Sequence, residues 1–125
     1  MSKQLIRIVL PQLARRLHRH VQRYRSGELD DAQFAKRFEA LLQRQYAWLS
    51  DKGVPQAHAA VAVHGAVLVL TSPGLRAEAE EQQLPLEVIE YRAICAAAAD
   101  IARTHGVSER RVVRQLSAIV AQYGD

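Results

Sequence analysis

Apolar residues return at three- and four-residue intervals along most of the chain, the period of an α-helix and not of a strand. With Leu10 at zero and about 100° per residue, Leu17, Val21 and Tyr24 fall within about 40° of it, while Arg15, Arg16, Arg19 and Arg23 fall on the far side. The first helix is therefore amphipathic with a basic back, and Pro11 leaves its first turn kinked or separate. Ser26-Gly27 ends it. Asp30 then stands as an N-cap, Gln33 at the position that reaches back to it, and Leu29 and Phe34 at the two staple positions. This predicts a second helix carrying Phe34, Phe38, Leu41, Leu42 and Leu49, stopped at Lys52-Gly53 before Val54 and Pro55, so that the first two helices form a hairpin.

Residues 55–71 are apolar nearly all round, as in a central buried helix. Two short strands turning at His64-Gly65 are the rival, but Ala59, Ala60, Ala62 and Ala66 favour helix. Ser72-Pro73-Gly74 breaks the chain, and the acidic stretch LRAEAEEQQLP is a short helix or an exposed loop. Pro85 opens the next helix. Val88, Tyr91, Cys95, Ala98 and Ala102 are expected on its core face with Ile94 and Ile101 beside them, and Gly106 ends it. Ser108 caps a last helix in which Val112, Leu116, Ile119 and Tyr123 align, flanked by Val113 and Val120. The fold class expected is all-α: residues 1–125 as one helical domain, a bundle of four long helices plus a shorter one, without internal repeats.

Composition agrees with that picture and adds little to it. A chain of 125 residues with 49% hydrophobic residues, six glycines and four prolines can bury its own core. One cysteine, and an N-terminal stretch without a long apolar run, lead to the expectation of a cytoplasmic protein. The apolar run at 59–70 is interrupted by His64 and too short for a membrane span, so no membrane association is expected.

Charge changes the picture more. Residues 1–25 hold Lys3, Arg7, Arg15, Arg16, Arg19, Arg23 and Arg25 and no acid, whereas residues 26–105 hold seven basic and eleven acidic residues. A basic element on a near-neutral body suits nucleic acid, an acidic protein or an anionic surface. In the first case Arg15, Arg19 and Arg23 would be phosphate contacts, which position a ligand without reading sequence. In the second they form a solvated helix back open to an acidic protein partner. A membrane-surface helix fits worst, given His18 and His20 and no Trp or Phe on the apolar face.

Catalytic patterns are missing: there is no Gly-x-Ser-x-Gly, no phosphate loop and no His-Glu-x-x-His. Cys95, in AICAAAAD, is expected to be a buried, inert thiol. His58 and His64 lie about 240° apart around a helix, unsuited to share a metal, and Glu87 and Glu90 read as solvated acids near a helix start. The expectation is a protein that is not an enzyme and needs no cofactor or metal.

The specific signal is DIARTHGVSERRVVRQLSAIVAQYG, about a fifth of the chain. Ala102 is small where two helices would cross, Gly106 can take the left-handed turn, Val107 is apolar after it, and Ser108 can cap. Through Ile101, Ala102, Gly106, Val107, Ser108, Val112, Leu116 and Ile119 the segment resembles the helix-turn-helix of LuxR-type regulators and of sigma-factor region four. That resemblance implies transcription regulation through duplex DNA, with the last helix as recognition helix, Ser108 on a phosphate, and Glu109, Arg110 and Arg114 facing the groove. The sequence departs from the pattern at His105, Arg111 and Val113, and in a preceding helix of about twenty residues. The same residues also suit a plain αα-corner. The second function class is accordingly a helical interaction module, a homodimer or a partner-binding bundle, using Tyr46 and Trp48 as exposed apolar groups.

Overall fold

A computed structural model of the chain describes residues 2–124, with side chains from residue 5 onward. Among these residues there are six α-helices and no strand: α1 (Ser2–Arg25), α2 (Asp31–Asp51), α3 (Gln56–Leu70), α4 (Ser72–Gln82), α5 (Leu86–His105) and α6 (Glu109–Tyr123). The all-α expectation holds, and the count rises to six because the acidic stretch forms a helix of its own. Ser72 and Pro73 lie in the first turn of α4, where proline's fixed φ and missing N–H are tolerated. At its other end Gln83 takes a left-handed φ of 56°, and the Leu84 N–H donates back to Ala79 O at 3.0 Å.

Pro11 does not separate the first turn, since α1 runs unbroken through it. The proline is exposed, on the side away from Ile6, Val9, Leu13 and Leu17, so the carbonyl it leaves without a donor can be satisfied by water. The α1–α2 turn forms as the local signals predict. Asp30 Oδ1 accepts the Gln33 N–H at 2.8 Å while Gln33 Oε1 accepts the Asp30 N–H at 3.0 Å, a complete capping box. Tyr24 packs on Phe34 with ring centroids 4.9 Å apart, and its hydroxyl donates to Asp31 Oδ1.

Residues 56–70 are helix, which resolves the strand alternative. α3 packs against each of the other five helices. Its small residues explain how. Ala59, Ala60, Ala62, Gly65 and Ala66 are all buried, so neighbouring backbones can close on α3 from several directions. α1 and α2 form one flanking hairpin; α5 and α6 form another, with α4 lying on α5 and α3. One core joins them: Ile6, Val9, Leu13 and Leu17 of α1 and Leu41 and Leu49 of α2 meet α3 from one hairpin, while Ile94, Ala98, Ile101, Val112, Leu116 and Ile119 meet it from the other. Each large aliphatic side chain so buried is worth about 1.5–3 kcal/mol relative to exposure.

The face of α5 differs from expectation. Ile94, Ala98 and Ile101 are the core stripe, centred about 70° from the face that the sequence pattern suggested. Val88 and Tyr91 are 36% and 59% exposed, and Cys95 is half-buried instead of enclosed. The branched isoleucines determine the docking, and the cysteine lies about 100° from Ile94, beside the core and not in it. Ile89 turns a further way and is buried, as is Ala79 of the neighbouring α4.

No single helix among the described residues is long and apolar enough to cross a membrane. α3 and α4 reach that length only together, across a 57° bend, and the apolar surface of α3 is already covered by other helices.

Candidate nucleic-acid interface

The α5–α6 corner is built from four consecutive residues. Gly106 adopts φ 65°, ψ 34°, a left-handed conformation that an L side chain takes only with strain, and its N–H donates to Ala102 O at 2.9 Å. Val107 is half-buried against the core. Ser108 is the N-cap: its Oγ accepts the Arg111 N–H at 3.3 Å, and its carbonyl accepts the Val112 N–H at 3.1 Å. The Ser108 hydroxyl thus already serves the helix start, while its exposed position leaves the O–H free to donate outward.

Beyond the cap, α6 has two unlike faces. Val112, Leu116 and Ile119 are buried, with Val113, Val120 and Tyr123 half-buried at the margin, whereas Glu109, Arg110, Arg111 and Arg114 are exposed. With Val112 at zero, Arg110 and Arg114 lie near 160° and 200°, directly opposite the core, and Arg111 lies to one flank. Among the described residues none of these three arginines is paired with a carboxylate.

The second basic surface is larger than the sequence pattern of α1 implied. Arg15 and Arg19 are exposed, and with Arg16 they line a groove of about 480 Å³ whose other wall brings in Arg44 and Trp48 from α2. No carboxylate lines this groove among the described residues. His20 also faces it. Burial holds the His20 imidazole below its ordinary pKa, and the positive charges of Arg37, Arg23, Arg19 and Arg44 push the same way. Arg23 lies apart, since its Nε donates to Glu28 Oε2 at 3.0 Å across the α1–α2 turn.

Arg37 and Arg44 are site residues that the sequence reading missed, although their alignment with Trp48 is legible in the sequence. At spacings of seven and four they lie within about 20° of one helical line, a basic and aromatic stripe on α2. Trp48 is half-buried with Lys52 Nζ 5.5 Å from its ring centroid, and Tyr46 is half-buried on another side, so neither is the exposed apolar anchor expected.

The two basic surfaces lie on different hairpins. α1 and α6 each pack on α3, and among the described residues they form no helix–helix interface with each other. No group of three His, Cys, Asp or Glu side chains among the described residues is placed to hold a metal ion. Comparison with protein families, with curated proteins and with solved structures finds no match.

Proposed function

We propose that the chain is a non-enzymatic nucleic-acid-binding protein, of the kind that regulates transcription, holding duplex DNA through α6 with the α1–α2 groove as a second phosphate-binding surface. The observation that carries this reading is the outward face of α6. Arg110, Arg111 and Arg114 project from a helix whose opposite face is fixed in the core, directly after a left-handed corner and a serine cap. A rigid helix presenting unpaired guanidinium groups is what groove and phosphate recognition require. The resemblance of this corner to a helix-turn-helix points the same way, and the groove on α1 and α2 adds arginines without opposing acids.

An electrophoretic shift series on mixed duplex DNA at several salt concentrations tests it. Arg110→Glu with Arg114→Glu is expected to weaken binding by a factor of hundreds, of order 3 kcal/mol, and to reduce the salt slope by about two phosphate contacts. Arg15→Glu with Arg19→Glu is expected to weaken binding less and independently of DNA sequence. If neither pair alters binding, or the parent does not bind at moderate salt, the reading fails.

A second reading has its own observation. Val88 and Tyr91, three residues apart on α5, form an exposed apolar strip that suits a second copy of the chain or an apolar partner. Sedimentation at low micromolar concentration distinguishes the two: a dimer weakened by Tyr91→Ser, together with no affinity for duplex DNA, favours the interaction module.

A further inference from the structure

The two hairpins leave a cleft of about 650 Å³ between α2, α3 and the last turns of α5, within the size range of small-molecule sites. Leu42, Ala59 and Ile101 give it an apolar wall, and Tyr46, His64 and Asp100 converge on it from three different helices. It differs in charge from the basic groove on α1 and α2 and from the outward face of α6. Glu39 and Asp100 line it, with no lysine or arginine among the described residues there, although the chain as a whole carries +4.

We propose that this cleft binds a small primary amine carrying an aromatic or aliphatic body. The carboxylates would take the ammonium group, and the apolar wall would take the body. Asp100 is prepared for this role. Its Oδ1 accepts from Arg103 Nη2 at 2.8 Å, while among the described residues its Oδ2 has no protein donor. Arg103 does not line the cleft, so its guanidinium does not occupy the space an ammonium would need.

Tyr46 and His64 add hydrogen-bonding groups that a ligand of either charge could use. Tyr46 keeps its proton, its hydroxyl pushed up to about 12 by burial and by the Asp100 carboxylate. Burial favours the neutral imidazole of His64, against the pull of Asp100 and with His105 pushing the same way as burial. With no lysine or arginine in the lining among the described residues, the two carboxylates Glu39 and Asp100 are opposed there only by the histidines His64 and His105, and this balance favours a cationic ligand. The site does not depend on the nucleic-acid reading, since no residue of α6 lines it.

The test is a heteronuclear NMR titration of the full chain with phenethylamine and, separately, with phenylacetate, its anionic counterpart of similar size. Phenethylamine is expected to shift the amides of Tyr46, Ala59, Asp100 and Thr104, with phenylacetate at least tenfold weaker. Asp100→Asn, at an exposed position, is expected to weaken the amine about tenfold or more. Thr104→Phe, also exposed, places a ring in the cleft and is expected to abolish the shifts while the rest of the spectrum stays native. The proposal is overturned if phenylacetate binds as well as the amine, if Asp100→Asn leaves amine affinity unchanged, if the shifts map outside the cleft, or if neither probe binds at about 10 mM.

Discussion

A Cβ built at Gly65 would stand 2.8 Å from Ile119 Cδ1 and 3.1 Å from its Cγ2. This glycine has no need of a left-handed backbone; it lies inside α3 where α6 presses closest. In the sequence it reads as a possible turn residue, because nothing local distinguishes a glycine kept for a turn from one kept for the approach of another helix. Gly65→Ala would gain about 1 kcal/mol of helix propensity and lose about 1–3 kcal/mol to overpacking, for a net destabilisation of about 1 kcal/mol. Ile119→Val removes the nearest methyl. In a double-mutant cycle followed by urea unfolding the two substitutions are expected to couple by about 0.5 kcal/mol or more, the alanine being better tolerated beside valine. Strict additivity would mean that α6 can move away from α3 at little cost. Gln45 is a related case: a fully buried glutamine on α2 that donates to Gln12 Oε1 at 3.1 Å across to α1, invisible to a pattern of apolar positions.

Helix ends were legible because their chemistry is local. Asp30 with Gln33, Gly53 after Lys52, and Gly106 before Ser108 lie within a few residues of the bonds they make, and each stops or starts a helix where the sequence predicts. Asp30→Ala is expected to lower stability by about 1 kcal/mol and the thermal midpoint by a few degrees, without effect on polyanion binding. A circular-dichroism melt indistinguishable from the parent's would show that the capping box contributes nothing at this site. Helix facings were less legible. On α6 one narrow apolar arc admits a single docking face, and Val112, Leu116 and Ile119 occupy it. On α5 the alanines at 96–99 blur the arc, so the choice between Tyr91 and Ile94 as its centre depends on where α3, α4 and α6 lie. The candidate interface follows the same rule. Arg15, Arg19, Arg110 and Arg114 were readable from periodicity on their own helices, whereas the joining of Arg44 to Arg16 required two helices to meet.

At the scale of the whole molecule, a central α3 contacted by every other helix carries one titratable side chain facing the junction between hairpins. His64 is half-buried, with Asp100 and His105 of α5 acting on it from across the cleft. Burial lowers its pKa and Asp100 only partly offsets this, so the folded chain takes up the proton less readily than the unfolded chain, whose histidine titrates near 6.5. Where the unfolded state binds more protons, stability falls as pH falls. The contribution of His64 is therefore present above pH 6.5 and is lost as pH drops through the lower folded value; His20, also depressed, acts in the same direction. Urea midpoints measured between about pH 7.5 and pH 5 are expected to decline in the parent and to decline less in His64→Gln, which keeps a polar side chain and cannot charge. Asp100→Asn removes the one carboxylate that favours His64 protonation, so it should lower the imidazole pKa further and enlarge the loss at the acidic end. NMR titration of the His64 ring checks the sign directly. A ring that titrates above 6.5 would reverse the prediction, because Asp100 would then outweigh burial and the histidine would stabilise the fold in acid.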